Sequence, residues 1–398
     1  MLPSQSPLVV GEIFSDFCAG KPCALVVGAG VSGATVAERL ASAGTRVLVI
    51  EARPQIGGNC FDYRDAETGV TVHKYGPHIF HTNNAEVWNY LSRFTQWRRY
   101  EHKVLANIDG KLVPVPFNLN SVHSIFPPET AARLEEKLLA LLGPDAKTTV
   151  LELRGNADAE LARLGEFVYE KVFLFYTQKQ WGLKPEEIDP AVTARVPILS
   201  GRDDRYFHDE FQAIPLGGYT AMIEKMLSAP AISVCLKTPF ASVRDRVPEG
   251  MPIFFTGAID EFFDFSLGEL PYRSIRFDLE TLEQEFFQPA ACVNYTCSEA
   301  FTRITEYKYF LDEHSPKTVI GREYSSKFDR DRANGRCYPI AQPQNAALYA
   351  RYVEEAAREF PNVRFLGRLG DYKYYNMDAA VARALAVAKD FLAQPPEN

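Results

Sequence analysis

The sequence predicts an α/β fold in three parts: a discontinuous Rossmann-like domain, a helical domain and an antiparallel β-sheet domain. Three observations predict it. A glycine-rich strand–turn–helix lies near the start, an amphipathic helical period fills the middle, and short strands follow before strand–helix alternation returns at the end.

The first element carries the most information. An apolar strand from Ala24 turns through Gly28, Gly30 and Gly33 into a small-residue helix, and a second strand, Val47 to Ile50, ends on Glu51. That is a βαβ unit for a dinucleotide. Gly28 allows the tight turn, Gly30 lets backbone amides approach a pyrophosphate, and Gly33 lets helix and strand pack closely. The helix N-terminus adds N–H groups and partial positive charge. Glu51 stands where a carboxylate accepts ribose hydroxyls and repels a 2′-phosphate, which disfavours NADP. Arg53, Gly57, Gly58 and Asn59 extend the pattern. The extension resembles FAD-binding proteins of the glutathione-reductase and amine-oxidase type, and FAD is favoured over NAD on that resemblance.

Downstream, VTVHKYGPHIFHTNN reads as a strand and glycine turn carrying His73, His78 and His81, and Val104 to Phe117 alternates as strands. Helical periodicity then runs from about Ser121 to Trp181: TAARLEEKLLALLG is one amphipathic helix, LARLGEFVYEKVFLFYTQKQWG one or two more. The stretch from about 182 to 205, rich in Pro, Gly and charge, reads as a mobile loop, and long loops are often lids. A helix from Tyr219, the strand ISVCL and the buried strand IFFTGAID follow. RSIRFDL, AACVNYT, FTRITEYKYF and KTVIGREYS then read as short antiparallel strands. A helix from Ala346 to Phe360, the strand and turn VRFLGRLG and a helix from Asp378 to Ala393 close the chain. The domains expected are 24–85, 213–270 and 340–398 for the cofactor, 121–205 for the helices, and 86–120 with 271–339 for the antiparallel sheet.

Bulk properties narrow the function classes. The net charge of −8 has no basic block to offset it, which argues against a nucleic-acid partner. The seven cysteines are scattered without a CxxC pair, and read as free thiols in a reducing compartment. The first residues lack a signal-peptide pattern and no apolar run is long enough to span a membrane, so a cytoplasmic protein is expected. The histidines fit no ligand spacing, so no metal is expected. No Gly-x-Ser-x-Gly elbow anchors a hydrolase triad.

Two further constellations carry chemistry. Gly367-Arg368-Leu369-Gly370, followed by Asn376-Met377-Asp378 opening a helix, puts a helix N-terminus where it could face the electron-rich edge of a flavin. Phe175, Tyr176, Trp181, Tyr206, Phe207, Tyr338, Tyr374 and Tyr375 lie in turn-rich or motif-flanking positions, with Arg195 and Arg303 as candidate partners. Rings stack a nucleobase and guanidinium forks bind a diphosphate; the plain alternative is core aromatics and solvated arginines. Only one dinucleotide fingerprint is present. A flavin here either takes electrons from its substrate, or is reduced occasionally and used without net redox change.

The segments VVGAGVSGA, EARPQIGGN, HKYGPHIFHT, YTQKQWG, ARVPI, IPLGGYTAMIEKML, FTGAIDEFFD, FTRITEYK, YPI and GRLGDYKYYNMD resemble the bacterial UDP-galactopyranose mutases over nearly the whole chain. The resemblance implies a flavoprotein isomerase of galactofuranose biosynthesis, serving cell-surface polysaccharide. It would interconvert UDP-galactopyranose and UDP-galactofuranose through attack of reduced-flavin N5 on the anomeric carbon, with no net redox change. It implies that Arg195 and Arg303 hold the departing diphosphate and that His78 sits by the flavin. Tyr176 would lie against the uracil, Trp181 would line the sugar–uridine pocket, and Tyr206, Phe207, Tyr338, Tyr374 and Asn376 complete the substrate site. Gly28, Gly30, Gly33, Glu51, Arg53, Gly57, Gly58, Asn59, Arg368 and Met377 would hold FAD. An external reductant such as NAD(P)H and a homodimer or larger assembly are also implied. Asn376 departs from the pattern, since many relatives carry aspartate there. The cofactor fold alone leaves open an FAD-dependent oxidase or desaturase, or a non-enzymatic binding module.

Overall fold

Strand β1 (Cys23–Val27) lies at the centre of a five-stranded, all-parallel sheet. The computed structural model describes Phe17 and residues 22–187, 196–332, 335–340 and 342–394. On one side of β1 come β2 (Arg46–Ile50) and then Ile232–Cys235; on the other, Ile253–Phe255 and then Val363–Phe365. A parallel sheet covered on both faces needs apolar residues at successive positions, and β1 supplies them. Ala24 and Val26 face a layer that includes helix α1 (Val31–Ser42) and the terminal helix Met377–Leu392, whose Ala34, Ala37 and Ala384 are fully buried. Leu25, on the opposite face, packs with Leu48, Ile253, Phe262 and Tyr352, the last from helix Pro343–Glu359.

A seven-stranded sheet stands apart from this one, in the order Tyr338–Pro339, Tyr272–Leu282, Thr318–Lys327, Arg303–Glu306, Cys292–Tyr295, Val104–Ile108, Lys111–Val115. It corrects two expectations. Cys292–Tyr295 runs parallel to Val104–Ile108, so the sheet is antiparallel except at that seam. Tyr272–Leu282 and Thr318–Lys327 are also long, paired from Arg273 opposite Lys327 to Leu282 opposite Thr318. Their outer halves carry Arg276, Glu280 and Arg322, so the apolar alternation fades before the strand does.

The helical region packs Leu134, Leu138, Leu161, Leu164 and Val168 against Val113 and Val115 of that sheet. Helix Ala159–Val168 passes through a widened π turn, Tyr169–Leu174, into Phe175–Trp181. The one or two helices expected in this stretch form one path with a π insertion, a feature common beside functional sites. Within the segment read as a mobile loop, 188–195 lies outside the described residues. Ile198–Leu199 pairs with Lys147–Thr148, and Asn118 reaches Asp203 and Asp204, which fastens the 198–204 stretch to the helical region.

Cys23 is disulfide-bonded, which corrects the expectation of seven free thiols. Cys18 lies outside the described residues, and Cys60, Cys235, Cys292, Cys297 and Cys337 are free. Sequence spacing does not reveal a bridge, because bonding depends on which backbones meet.

One distant cap locks the glycine-rich domain together. Helix Gly218–Met226 begins after Gly217, which has no side chain to cap it. Asp62 does so instead, accepting from the Tyr219 amide at 2.6 Å and the Thr220 amide at 2.9 Å. Gly218 must lack a Cβ, since one would stand 2.6 Å from the Asp62 carboxylate. Asp62→Ala leaves two amides without their acceptor, and we expect it to lower unfolding free energy by about 3 kcal/mol in denaturant titration. A change below about 1 kcal/mol would show the cap to be dispensable.

Candidate nucleotide and substrate cavities

Backbone crowding shapes the larger site. Gly28 has φ +106°, and a Cβ there would lie 2.1 Å from Thr256 Oγ1; one on Gly33 would lie 1.9 Å from the Gly28 carbonyl oxygen. Gly30 and Gly58 face each other so closely that a Cβ on Gly58 would stand 2.9 Å from the Gly30 Cα. Glu51 holds this loop. Its Oε2 accepts from the Ala29 amide and its Oε1 from the Arg53 amide, both at 2.9 Å. The carboxylate expected from sequence at a ribose thus folds the glycine loop in this structure.

Around the loop opens a cavity of about 670 Å³ at the carboxyl ends of the parallel strands, where ligands of open α/β sheets bind. Gly28, Gly30, Gly33, Glu51, Arg53, Gly57, Gly58, Asn59, Arg368 and Met377 all line it. Arg53 lies over the Tyr75 ring at 4.6 Å and donates one terminal nitrogen to Asn59 at 3.0 Å. Its other terminal nitrogen is buried without a partner, a donor suited to an anionic ligand. The helix Met377–Leu392 starts without a side-chain cap, and Asn376, Met377 and Ala380 at its N-terminus line the cavity. A glycine cradle, an unpaired cation donor and an open helix end fit a dinucleotide.

A second cavity of about 150 Å³ shares His78, Arg368, Asn376 and Met377 with the first. Tyr206, Phe207, Arg303, Tyr338 and Tyr374 line it as well. Tyr176 joins through its hydroxyl, which accepts from Arg303. Trp181 stands edge-on to Tyr374 at 5.3 Å and 6.0 Å from Tyr338. Arg195 lies outside the described residues.

Charge in the second cavity is concentrated on arginine. Burial works against the Arg303 guanidinium, yet Glu323, 3.2 Å from its Nε, holds its pKa well above the usual value. The histidines are the opposite. Burial pulls His73, His78 and His102 down to about 3. His78 Nδ1 lies 2.7 Å from the Gly76 carbonyl, so it carries the proton and leaves Nε2 as an acceptor. The His78 amide donates to His73 Nδ1 at 3.1 Å, which assigns the His73 proton to Nε2, buried without a partner.

Asn376 gains a local explanation. His81 Nδ1 sits 2.7 Å from Asp209, and its Nε2 faces the Asn376 amide nitrogen at 3.3 Å. An amide can either donate to a ring nitrogen or, turned over, accept from it, whereas an ionised carboxylate can only accept. The His81 ring stacks on Phe207 at 3.6 Å, so this relay positions an aromatic of the cavity.

Sequence reading missed His102, Asn294 and Glu323, all in the second cavity. Asn294 sits opposite Arg303 in the sheet register, its Oδ1 buried without a partner. No motif marks it; the strand pairing brings it there. His102 offered a faint signal, a histidine at the head of an alternating strand. Among the described residues no His/Cys/Asp/Glu group would hold a metal, and no helix is long and apolar enough to cross a membrane.

A family model described as UDP-galactopyranose mutase matches residues 171–374, and one for an NAD(P)-binding Rossmann-like domain matches 26–94. The chain is 37% identical over 374 residues to a probable UDP-galactopyranose mutase of Klebsiella pneumoniae, covering 92% of this chain and 94% of that one. It is 35% identical over 376 residues to a dTDP-fucopyranose mutase of Escherichia coli, covering 92% and 98%. A solved structure of reduced UDP-galactopyranose mutase superposes with a TM-score of 0.69 over 95% of both chains, at 15% identity. The Rossmann-like domain and these neighbours point to a flavin cofactor.

Neutral buried histidines carry a pH signature. His73 and His102 stay unprotonated when folded down to about pH 3, while the unfolded chain protonates them near 6.5. Their stabilisation is whole above 6.5 and is lost as pH falls toward 3, at about 1.4 kcal/mol per pH unit for each. We expect His73→Gln to flatten the acid limb of stability against pH by about one proton; an unchanged slope would place that proton uptake elsewhere.

Proposed function

The chain belongs to the UDP-galactopyranose mutase family, and from that premise we propose that it interconverts UDP-galactopyranose and UDP-galactofuranose with FAD held in the larger cavity. One observation carries the reading. The dinucleotide cradle opens, through His78, Arg368, Asn376 and Met377, into a cavity lined by arginine and aromatic rings. The chain has no second dinucleotide fingerprint to house a hydride donor.

When bound and reduced, FAD supplies N5 as nucleophile toward the anomeric carbon. Arg303, held charged beside Glu323, stabilises the diphosphate as it departs and returns, a role that the family resemblance also gives to Arg195. Tyr176 stacks the uracil, and Trp181, Tyr206 and Phe207 enclose the sugar and uridine. Tyr338 and Tyr374 offer hydroxyls to the phosphates. Neutral His78 presents Nε2 as an acceptor beside the flavin, and takes up no proton at working pH. Arg368 is oriented by the Tyr375 carbonyl at 2.9 Å and lies over the Tyr338 ring, and it would pair with the cofactor pyrophosphate. The same reading calls for an external reductant such as NAD(P)H and for a cytoplasmic homodimer or larger assembly.

The 35% identity to a dTDP-fucopyranose mutase supports a second reading, in which dTDP-fucopyranose is the substrate. Reduced protein incubated with UDP-galactofuranose is expected to yield the pyranose by chromatography. Conversion of dTDP-fucofuranose in preference would select the second reading, and no conversion of either by yellow, reducible protein would refute both. Arg303→Ala and Arg195→Ala are each expected to lower turnover by about 10²-fold or more while the flavin absorbance stays. Retained turnover in either variant would remove that residue from the diphosphate site.

A further inference from the structure

Helix Phe175–Trp181 carries Tyr176 and Trp181, and two cations fasten it. Arg273 takes its C-terminal carbonyls, donating to Gln180 O at 2.8 Å and to Lys179 O at 2.9 Å. Lys179 points the other way, into the loop between strands Cys292–Tyr295 and Arg303–Glu306. Its ammonium lies 2.6 Å from the carbonyl oxygen of Tyr295, 3.3 Å from that of Cys297, 3.0 Å from that of Glu299 and 3.1 Å from that of Phe301. Alternate residues of the loop thus turn their carbonyl dipoles onto one point. Such a ring takes the place of a monovalent cation's hydration shell, and here an ammonium fills it.

The loop leads straight into Arg303, whose guanidinium donates back to the Tyr176 hydroxyl. Helix, ammonium, loop and arginine close a circuit. Thr296 adds a strut from the same loop, its hydroxyl donating to the Lys171 carbonyl in the π turn. Without the ammonium, whose three N–H groups are shared among the four inward carbonyls, those oxygens lose their donor, and the loop must open to reach water. Arg303 moves with it, and small displacements of a binding group weaken binding sharply.

We propose that Lys179 is a positioning residue of the substrate site, its ammonium setting the spacing between Tyr176 and Arg303 by gathering the 295–301 loop. The proposal rests on the reading that these two residues take a nucleoside diphosphate. The test uses full-length flavin-loaded protein, with UDP as the probe. Lys179→Met is expected to keep its flavin absorbance, to raise amide deuterium uptake across 295–302, and to weaken UDP binding about tenfold or more. KM should rise in proportion, with kcat falling less than about threefold. Lys179→Arg keeps charge and donors on a planar head that cannot serve four converging carbonyls, and should weaken UDP about threefold. Should the methionine variant fail to fold, the arginine variant decides alone. Wild-type UDP affinity and unchanged exchange in the folded variants would overturn the proposal, as would a loss confined to kcat. If the unmodified protein itself does not bind UDP, the functional reading falls, while exchange across 295–302 still decides whether Lys179 gathers the loop.

Discussion

Everything in this molecule depends on two stretches of backbone being allowed to touch. A Cβ on Gly58 would stand 2.9 Å from the Gly30 Cα, and one on Gly33 would lie 1.9 Å from the carbonyl oxygen of Gly28. That contact brings the N-terminus of α1, the Gly57–Gly58 loop and the end of β1 to one point, and Glu51 ties them by accepting two backbone amides. A carboxylate in that position satisfies donors that the tight turn strands. The glycine cradle is therefore a packing solution first, and the open helix N-terminus beside it is the feature suited to phosphate.

From that point the site grows by convergence. The far-separated segments around Thr238, Thr256 and Gly367 reach the same cavity, because parallel strands end side by side. The seven-stranded sheet supplies the opposite wall, with Arg303 and Asn294 paired across two of its strands. Electrostatics then divide the labour. Arg303 is held charged beside Glu323, whereas burial holds His73, His78 and His102 neutral. The proposed chemistry, in which a diphosphate departs and returns, calls for fixed positive charge of that kind.

Much of this was legible in the chain itself. The spacing of Gly28, Gly30, Gly33 and Glu51 carries a local geometry, and the structure holds those residues in one cavity. Helix positions were legible too, because an apolar period over a dozen residues is a strong signal. Strand lengths were less so. Charged outer halves hid the extent of Tyr272–Leu282, and nothing local announced that Cys292–Tyr295 pairs parallel to Val104–Ile108. The bond at Cys23 was invisible for the same reason.

The sequence by itself determined the βαβ nucleotide unit, the alternation of helices and strands, and the residue types suited to an anionic, aromatic-stacking ligand. These rest on interactions within a few residues, where spacing is geometry. Only the tertiary structure decided which groups share a wall: Asn294 opposite Arg303, His102 beneath the aromatics, Asp62 capping a helix more than a hundred residues away, and Lys179 inside a ring of carbonyls. Such partners are chosen by strand register and layer packing. Those are properties of the whole fold, which no local pattern encodes.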